Sequence, residues 1–200
     1  MFKNKILLIT GGTGSFGNAM LKGFLNSDLK EIRIFSRDEK KQEDMRIEYK
    51  NDKLNFVIGD IRDFDSINNA MVGVDYVFHA AALKHLTTLE RFPEEAYKTN
   101  VLGTNSLLRA SVNSNVKTFV NISTDKAVDP SSVLGKTKLI AEMLTAGFAN
   151  KFSGKDVKNA SKSDIIKYFV SQGEFILEGN AEIKDDISTL KGERLQYNQN

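Results

Sequence analysis

Cysteine is absent from this 200-residue chain. That excludes disulfides, a thiolate metal site and a cysteine nucleophile. Histidine occurs only twice, too seldom for a His-rich metal centre, so no metal ligands are expected. Charge of one sign is lacking too: 28 basic residues face 26 acidic ones, a net +2. So small a balance gives no field for nucleic acid or for a membrane surface. No apolar run approaches the roughly 20 residues of a membrane span. What remains suits a soluble globular chain, with 40% hydrophobic and 27% charged residues. The length fits one domain, or one domain and an appendage. A strand signal begins almost at the first residue and leaves no room for a signal peptide. The expected compartment is therefore the cytoplasm.

What is present begins with Lys5-Ile-Leu-Leu-Ile-Thr-Gly-Gly-Thr-Gly-Ser-Phe-Gly17. Ile6 to Ile9 is an unbroken apolar run, as a strand buried on both faces requires. Gly11, Gly14 and Gly17 follow, and Asn18 to Leu25 has helical apolar spacing. Strand, glycine-rich turn and helix together form the context of a dinucleotide fingerprint. Glycine lets the backbone approach a pyrophosphate, which then rests on the N–H groups at the helix N-terminus.

Strand and helix signals alternate for three quarters of the chain. Strands are expected at Glu31–Phe35, Leu54–Ile58, Val74–His79 and Lys117–Ile122. Helices are expected at Asp38–Tyr49, Phe64–Met71 (capped by Asp63 or Asp65), Pro93–Ser114 and Val133–Asn150. The pattern predicts an α/β fold: a Rossmann-like, doubly wound parallel sheet with helices on both faces. Ligands of such sheets bind beyond the carboxyl ends of the strands. Residues 1–150 would form the cofactor-binding domain. Residues 151–200 read as a short atypical segment: a linker over Phe152–Ser163, a short helix over Asp164–Val170, a strand over Glu174–Glu178, and no assigned structure from Asn180 onward.

Candidate site residues lie at the strand ends. An acidic residue after the second strand would bind the ribose 2′-OH of NAD. Ser36-Arg37 stands there instead, with Lys40 and Lys41 beyond. A guanidinium matches a phosphate, so NADP is favoured over NAD, the alternative being a solvated helix start built on Asp38 and Glu39. Asp60-Ile61 is placed to meet adenine or to cap a turn. Ala80, Ala81 and Ala82 supply small side chains where backbone passes the cofactor, or simply pack tightly. Ser123-Thr124-Asp125-Lys126 follows the fifth strand. Adjacent Asp and Lys can act as acid and base when their pKa values are pushed apart, and otherwise form a surface turn.

In order, the chain carries Thr10–Gly17, Ser36-Arg-Asp38, Gly59-Asp60, His79-Ala-Ala-Ala-Leu-Lys-His85, Thr99-Asn-Val-Leu-Gly-Thr104 and Ser123-Thr-Asp-Lys-Ala127. With these it resembles the UDP-N-acetylglucosamine 4,6-dehydratases of bacterial polysaccharide biosynthesis, in the extended short-chain dehydrogenase/reductase superfamily. The likeness covers about residues 1–150. It implies that Thr13, Gly14, Ser15 and Phe16 contact pyrophosphate, and that Arg37 and Lys41 contact the 2′-phosphate. It places Lys84 and His85 near substrate, Lys84 also near nicotinamide, Asn100 in the wall of the site, and Ser123 and Lys138 against the cofactor. It makes Asp125 the acid and Lys126 the base beside Thr124. The implied activity is that of a lyase removing water from a nucleotide sugar, its partner being that substrate, with homo-oligomer formation left open.

Two departures stand out. The superfamily's Tyr-x-x-x-Lys becomes Leu134-x-x-x-Lys138, and leucine takes no proton. The long C-terminal half of such enzymes, with its substrate lobe, is not found in Lys151–Asn200, so that lobe is expected to be truncated or absent. Competing readings are a catalytically silent NADP-binding protein and another extended dehydrogenase or epimerase acting on nucleotide sugars.

Overall fold

The computed structural model describes residues 2–114 and 116–153 together with three strands, Ile166–Ser171, Glu174–Lys184 and Thr189–Asn198. The element order is β1 (Ile6–Thr10), α1 (Ser15–Phe24), β2 (Glu31–Ser36), α2 (Glu39–Tyr49), β3 (Leu54–Ile58), α3 (Phe64–Ala70), β4 (Tyr76–His79) and α4 (Leu86–Arg91). A continuous helical stretch follows: α5 (Pro93–Ala96), a π-helical segment (Tyr97–Gly103) and α6 (Thr104–Asn113). Then come β5 (Thr118–Thr124), a 3₁₀ turn (Asp125–Ala127), α7 (Val133–Ser153), β6 (Ile166–Ser171), β7 (Glu174–Lys184) and β8 (Thr189–Asn198).

The strands make one sheet in the order β3-β2-β1-β4-β5-β6-β7-β8. Pairing is parallel from β3 through to β6 and antiparallel between β6, β7 and β8. The first strand in sequence is thus interior, bonded to β2 on one side and β4 on the other. This is why Ile6–Ile9 shows no polar alternation. Leu8 faces a core with Ile67 of α3 and Leu107 of α6. Leu7 and Ile9 face the opposite core, with Leu21 of α1 and Met45 of α2. Each such side chain contributes about 1.5–3 kcal/mol by leaving water. Helices therefore cover both faces, as the alternating pattern predicts.

Several boundaries differ from the sequence reading. β4 begins at Tyr76 rather than Val74, and α4 has no counterpart there. The helix at Pro93–Ser114 is divided by the π-helical segment, and α7 continues to Ser153. The helix read over Asp164–Val170 is a strand, Ile166–Ser171, which pairs with β5 in the register Val120↔Ile166 to Thr124↔Val170. Its Ile, Tyr, Phe and Val are strand formers, and a parallel neighbour decides between the two states. The stretch from Asn180, read as unstructured, completes β7 and supplies β8, a hairpin with pairs from Glu174↔Asn198 to Lys184↔Thr189. The linker read over Phe152–Ser163 contributes Phe152 and Ser153 to α7, and its remainder lies outside the described residues. Among the described residues no helix is long and apolar enough to cross a membrane.

Candidate functional site

A cleft of about 640 Å³ runs along the carboxyl ends of the parallel strands. Its floor is the glycine turn between β1 and α1. Gly11 has φ +66°, and a Cβ there would lie 2.7 Å from the Ala81 nitrogen. The first turn of the cleft thus requires glycine, and the backbone it touches carries Ala80 and Ala81. Gly14 caps α1 with no side-chain hydrogen bond, and no acidic residue lies in the first turn. The positive end of α1 is left for an anion.

The second wall is the end of β2. Ser36 is nearly buried there. Asp38 caps α2, its carboxylate accepting from the Lys41 backbone N–H at 2.9 Å and pairing with Lys41 Nζ at 3.3 Å. The helix start weighed for these charges is therefore real, and Asp38, while capping it, lines the cleft together with Ser36, Arg37 and Lys41. Arg37 reaches Asp60 at 3.5 Å. Asp60 also accepts from Arg62, by the backbone at 2.9 Å and the guanidinium at 2.6 Å. Burial alone would raise its pKa, and the Arg62 hydrogen bonds outweigh that and lower it. Asp60 therefore caps its own turn while lining the cleft beside Ile61.

The third wall is the loop after β4, held from below by a buried relay. Thr104 Oγ1 donates to the Asn100 carbonyl at 2.7 Å. Its only proton is then committed, so it accepts from His79 Nε2 at 2.8 Å. His79 Nδ1 in turn accepts from Thr10 Oγ1 at 2.7 Å, and Thr10 Oγ1 accepts from the Ala81 N–H at 3.4 Å. The network thereby assigns the tautomer. Burial, with a smaller contribution from Lys138, pulls the His79 pKa down to about 3, so the imidazole is neutral. Asn100 clamps the same loop: its Oδ1 accepts from Leu83 N–H at 2.9 Å, and its Nδ2 donates to the Leu83 carbonyl and to Thr137. Lys84 and His85 follow along the rim. Thr99, which sequence reasoning passed over, lines the cleft with a buried Oγ1 that has no hydrogen-bond partner. An orphaned buried hydroxyl beside the phosphate cradle suits a polar ligand.

The fourth group stands apart. Ser123, Thr124, Asp125, Lys126 and Lys138 are not in the lining of this cleft, nor is Asn100. Thr124 to Lys126 form the turn that ends β5. Asp125 Oδ1 accepts from Thr124 Oγ1 at 2.9 Å, from Lys126 N at 3.0 Å and from Lys126 Nζ at 3.4 Å. The Thr124 hydrogen bond first, and Lys126 with it, lower the Asp125 pKa. Behind the turn, a Cβ at Gly135 would overlap the Lys126 carbonyl, which seats α7 against β5. Lys138 on α7 is buried and donates to the Ile122 carbonyl at 2.6 Å. Burial brings its pKa down to about 8 against the opposing charge of Glu142. Glu142, also buried and unforeseen, accepts from Ser123. Leu134, at the superfamily's tyrosine position, packs with Leu89 and Ala96.

Residues 7–168 match the model of the family described as polysaccharide biosynthesis protein. The chain belongs to that family. Its place is in the extended short-chain dehydrogenase/reductase superfamily. The UDP-glucose 4-epimerase of Rickettsia rickettsii is 52% identical over 185 residues, covering 86% of this chain and 54% of that protein. The chain thus spans about half the length of the curated relatives it matches. Among solved structures, Pen from Bacillus thuringiensis superposes with TM-score 0.78 at 36% identity, over 84% of this chain and 50% of that one. A dTDP-glucose 4,6-dehydratase from Streptomyces venezuelae, solved with NAD bound, gives TM-score 0.70 at 21% identity, over 82% of this chain and 55% of that one. That likeness shows the shared Rossmann-like sheet.

These relatives correct the reaction class. The lyase implied by the dehydratase resemblance gives way, because the 52%-identical relative is a 4-epimerase, an isomerase. Asp125, the acid of that resemblance, accepts from three donors, which lower its pKa.

Proposed function

We propose that the chain is the cofactor-binding part of an NADP-dependent nucleotide-sugar 4-epimerase. One observation carries the choice of reaction. The acid–base groups at the end of β5 are an Asp125 whose pKa is lowered by Thr124 and Lys126, Lys126 itself, and a buried Lys138, and inverting a carbinol needs no carboxylic acid among them. When bound, the cofactor would supply hydride acceptance from the sugar C4 and hydride return to the opposite face. The chain's own residues do the rest. The α1 N-terminus and the Gly11 turn hold pyrophosphate. Ser36, Arg37 and Lys41 favour the 2′-phosphate of NADP, because they set a hydroxyl and two cations where a phosphate would lie, with the Asp38 carboxylate of the same corner bonded to the Lys41 N–H and Nζ. With Leu134 unable to titrate, Lys138 Nζ takes up the proton of the 4-hydroxyl. Its pKa of about 8 leaves a usable neutral fraction near neutrality, as a general base requires.

The test is incubation of the chain with UDP-glucose or UDP-galactose and NADP, followed by NMR of the sugar protons. Interconversion without loss of water is expected. The rate should rise with pH through about 8, as Lys138 loses its proton. Lys138→Met should lower kcat by at least about a hundredfold and abolish that rise. Loss of water from the sugar, or a rate that ignores Lys138→Met, would overturn the reading.

A further inference from the structure

Gln42 has no part in the site as described so far, yet it is 2% exposed and stands directly behind Ser36. Its Nε2 donates to the Val57 carbonyl at 2.9 Å and to the Ser36 carbonyl at 3.1 Å. Two carbonyl oxygens can only accept, so the amide is oriented with its NH₂ toward β2 and β3. The same nitrogen lies 3.1 Å from Ser36 Oγ, which accepts from it by sharing one of the two amide hydrogens with a carbonyl, in a bifurcated bond. The Asp38 backbone N–H donates to the same oxygen at 3.3 Å. Ser36 Oγ has two lone pairs and one hydrogen. With both lone pairs approached by N–H donors, the hydrogen is left to be given away, and the cleft lies on the open side of this nearly buried residue.

We infer that Gln42 is a specificity-determining positioning residue: it fixes the Ser36 hydroxyl as a donor aimed at the 2′-phosphate of NADP. This rests on the NADP reading above and gives it a mechanism. The two cations of that corner arrive already paired, Arg37 with Asp60 and Lys41 with Asp38, and both are well exposed. Their fields are screened, and the buried hydroxyl contributes disproportionately. A phosphate is an acceptor only, and a hydrogen bond to a charged acceptor is the stronger kind. A 2′-OH, a neutral acceptor, would gain less from that donor. Without Gln42, the Ser36 hydroxyl is free to turn toward the carbonyls that the amide has left.

The experiment is fluorescence titration of the full chain with NADPH and with NADH, without sugar, at one ionic strength. Wild type, Gln42→Met, Ser36→Ala and the double variant are compared, with melting curves to establish folding. Wild type should favour NADPH. Each single variant should lower the NADPH-to-NADH affinity ratio by about tenfold, with NADH affinity within about twofold of wild type. The double variant should lose no more than either single one, because both act through one hydroxyl. Equal losses for both cofactors would mark Gln42 as merely structural. Additive losses would show that Gln42 acts independently of Ser36. Either result overturns the inference while leaving NADP preference standing. A wild-type preference for NADH overturns the cofactor reading itself and this inference with it. Should Gln42→Met fail to fold, Ser36→Ala decides: an unchanged ratio overturns the proposal, and a tenfold loss restored by Ser36→Thr supports it.

Discussion

His79 carries no charge in the folded protein, and that has a measurable consequence. Unfolded, it takes up a proton near its ordinary value of 6.5. Folded, it does so only at about 3. Between these values the unfolded chain binds more protons, so stability falls as pH falls, by at most about 1.4 kcal/mol per pH unit for one such group. Above the upper value both states are neutral and the residue adds no pH dependence. Urea unfolding measured from about pH 7 to about pH 5 should therefore show a shallower decline in His79→Gln than in wild type. Parallel declines would mean that the folded imidazole titrates normally. At neutral pH the same variant should lose about 2–3 kcal/mol, since Thr10 or Thr104 is left without its partner. The sequence shows His79 as the end of a strand and the start of a motif; its neutrality arises from burial, with a smaller contribution from Lys138, and its tautomer from Thr10 and Thr104, each 25 or more positions away in the chain.

Among the elements, the π-helical segment is one that local pattern does not disclose. Pro93 to Ser114 has unbroken helical spacing, and nothing in it announces the wider turn. The reason for that turn is tertiary. It buries Thr99, Asn100, Val101 and Gly103 together and brings the Asn100 amide onto Leu83. Gly103 packs closely on Ile61 in the same place. Asn100→Ala should cost about 2–3 kcal/mol by leaving the Leu83 N–H and carbonyl unpaired. It should also weaken NADPH binding by loosening the loop from Ala80 to Leu83. Denaturant midpoints and cofactor titration check both, and a loop that keeps full affinity would show that Asn100 serves stability alone. The phosphate turn, by contrast, is legible because its physics is local: glycine spacing, a buried strand and a helix start suffice. β1, β2, β3 and β5 were equally readable, from apolar runs of the right length. β6 was not, since Ile166 to Val170 suits either state until β5 lies beside it. Thr99, Gln42 and Glu142 were missed for the same reason, being ordinary helix residues whose meaning lies in what faces them.

At the scale of the molecule, the proposal that residues 1–150 form a cofactor-binding unit meets the sheet topology. All residues lining the cleft fall between Gly11 and Thr99, so the fragment retains every one of them. Yet β6 is the parallel partner of β5, and a chain ending at Asn150 would bare the whole edge of β5 along buried Val120–Ser123. An exposed apolar edge invites pairing with other chains. The fragment is therefore expected to bind NADPH with near full-length affinity while melting lower and self-associating. Light scattering at rising concentration and fluorescence titration separate the two effects. A monomeric fragment as stable as the full chain would mean that β6 to β8 contribute nothing to the sheet.

The interior place of β1 also has a time axis. Leu7 bonds in register with Ile32 on one side and Tyr76 on the other. During synthesis the first neighbour emerges early, and the second only after some 44 further residues (76 − 32) have been made. At about 5–20 residues per second, that is roughly 2–9 s on the ribosome. Throughout that interval this apolar strand keeps one edge unpaired. The length of chain carrying α2, β3 and α3 therefore sets how long that edge waits for its partner, and a slower ribosome would lengthen the exposure in proportion.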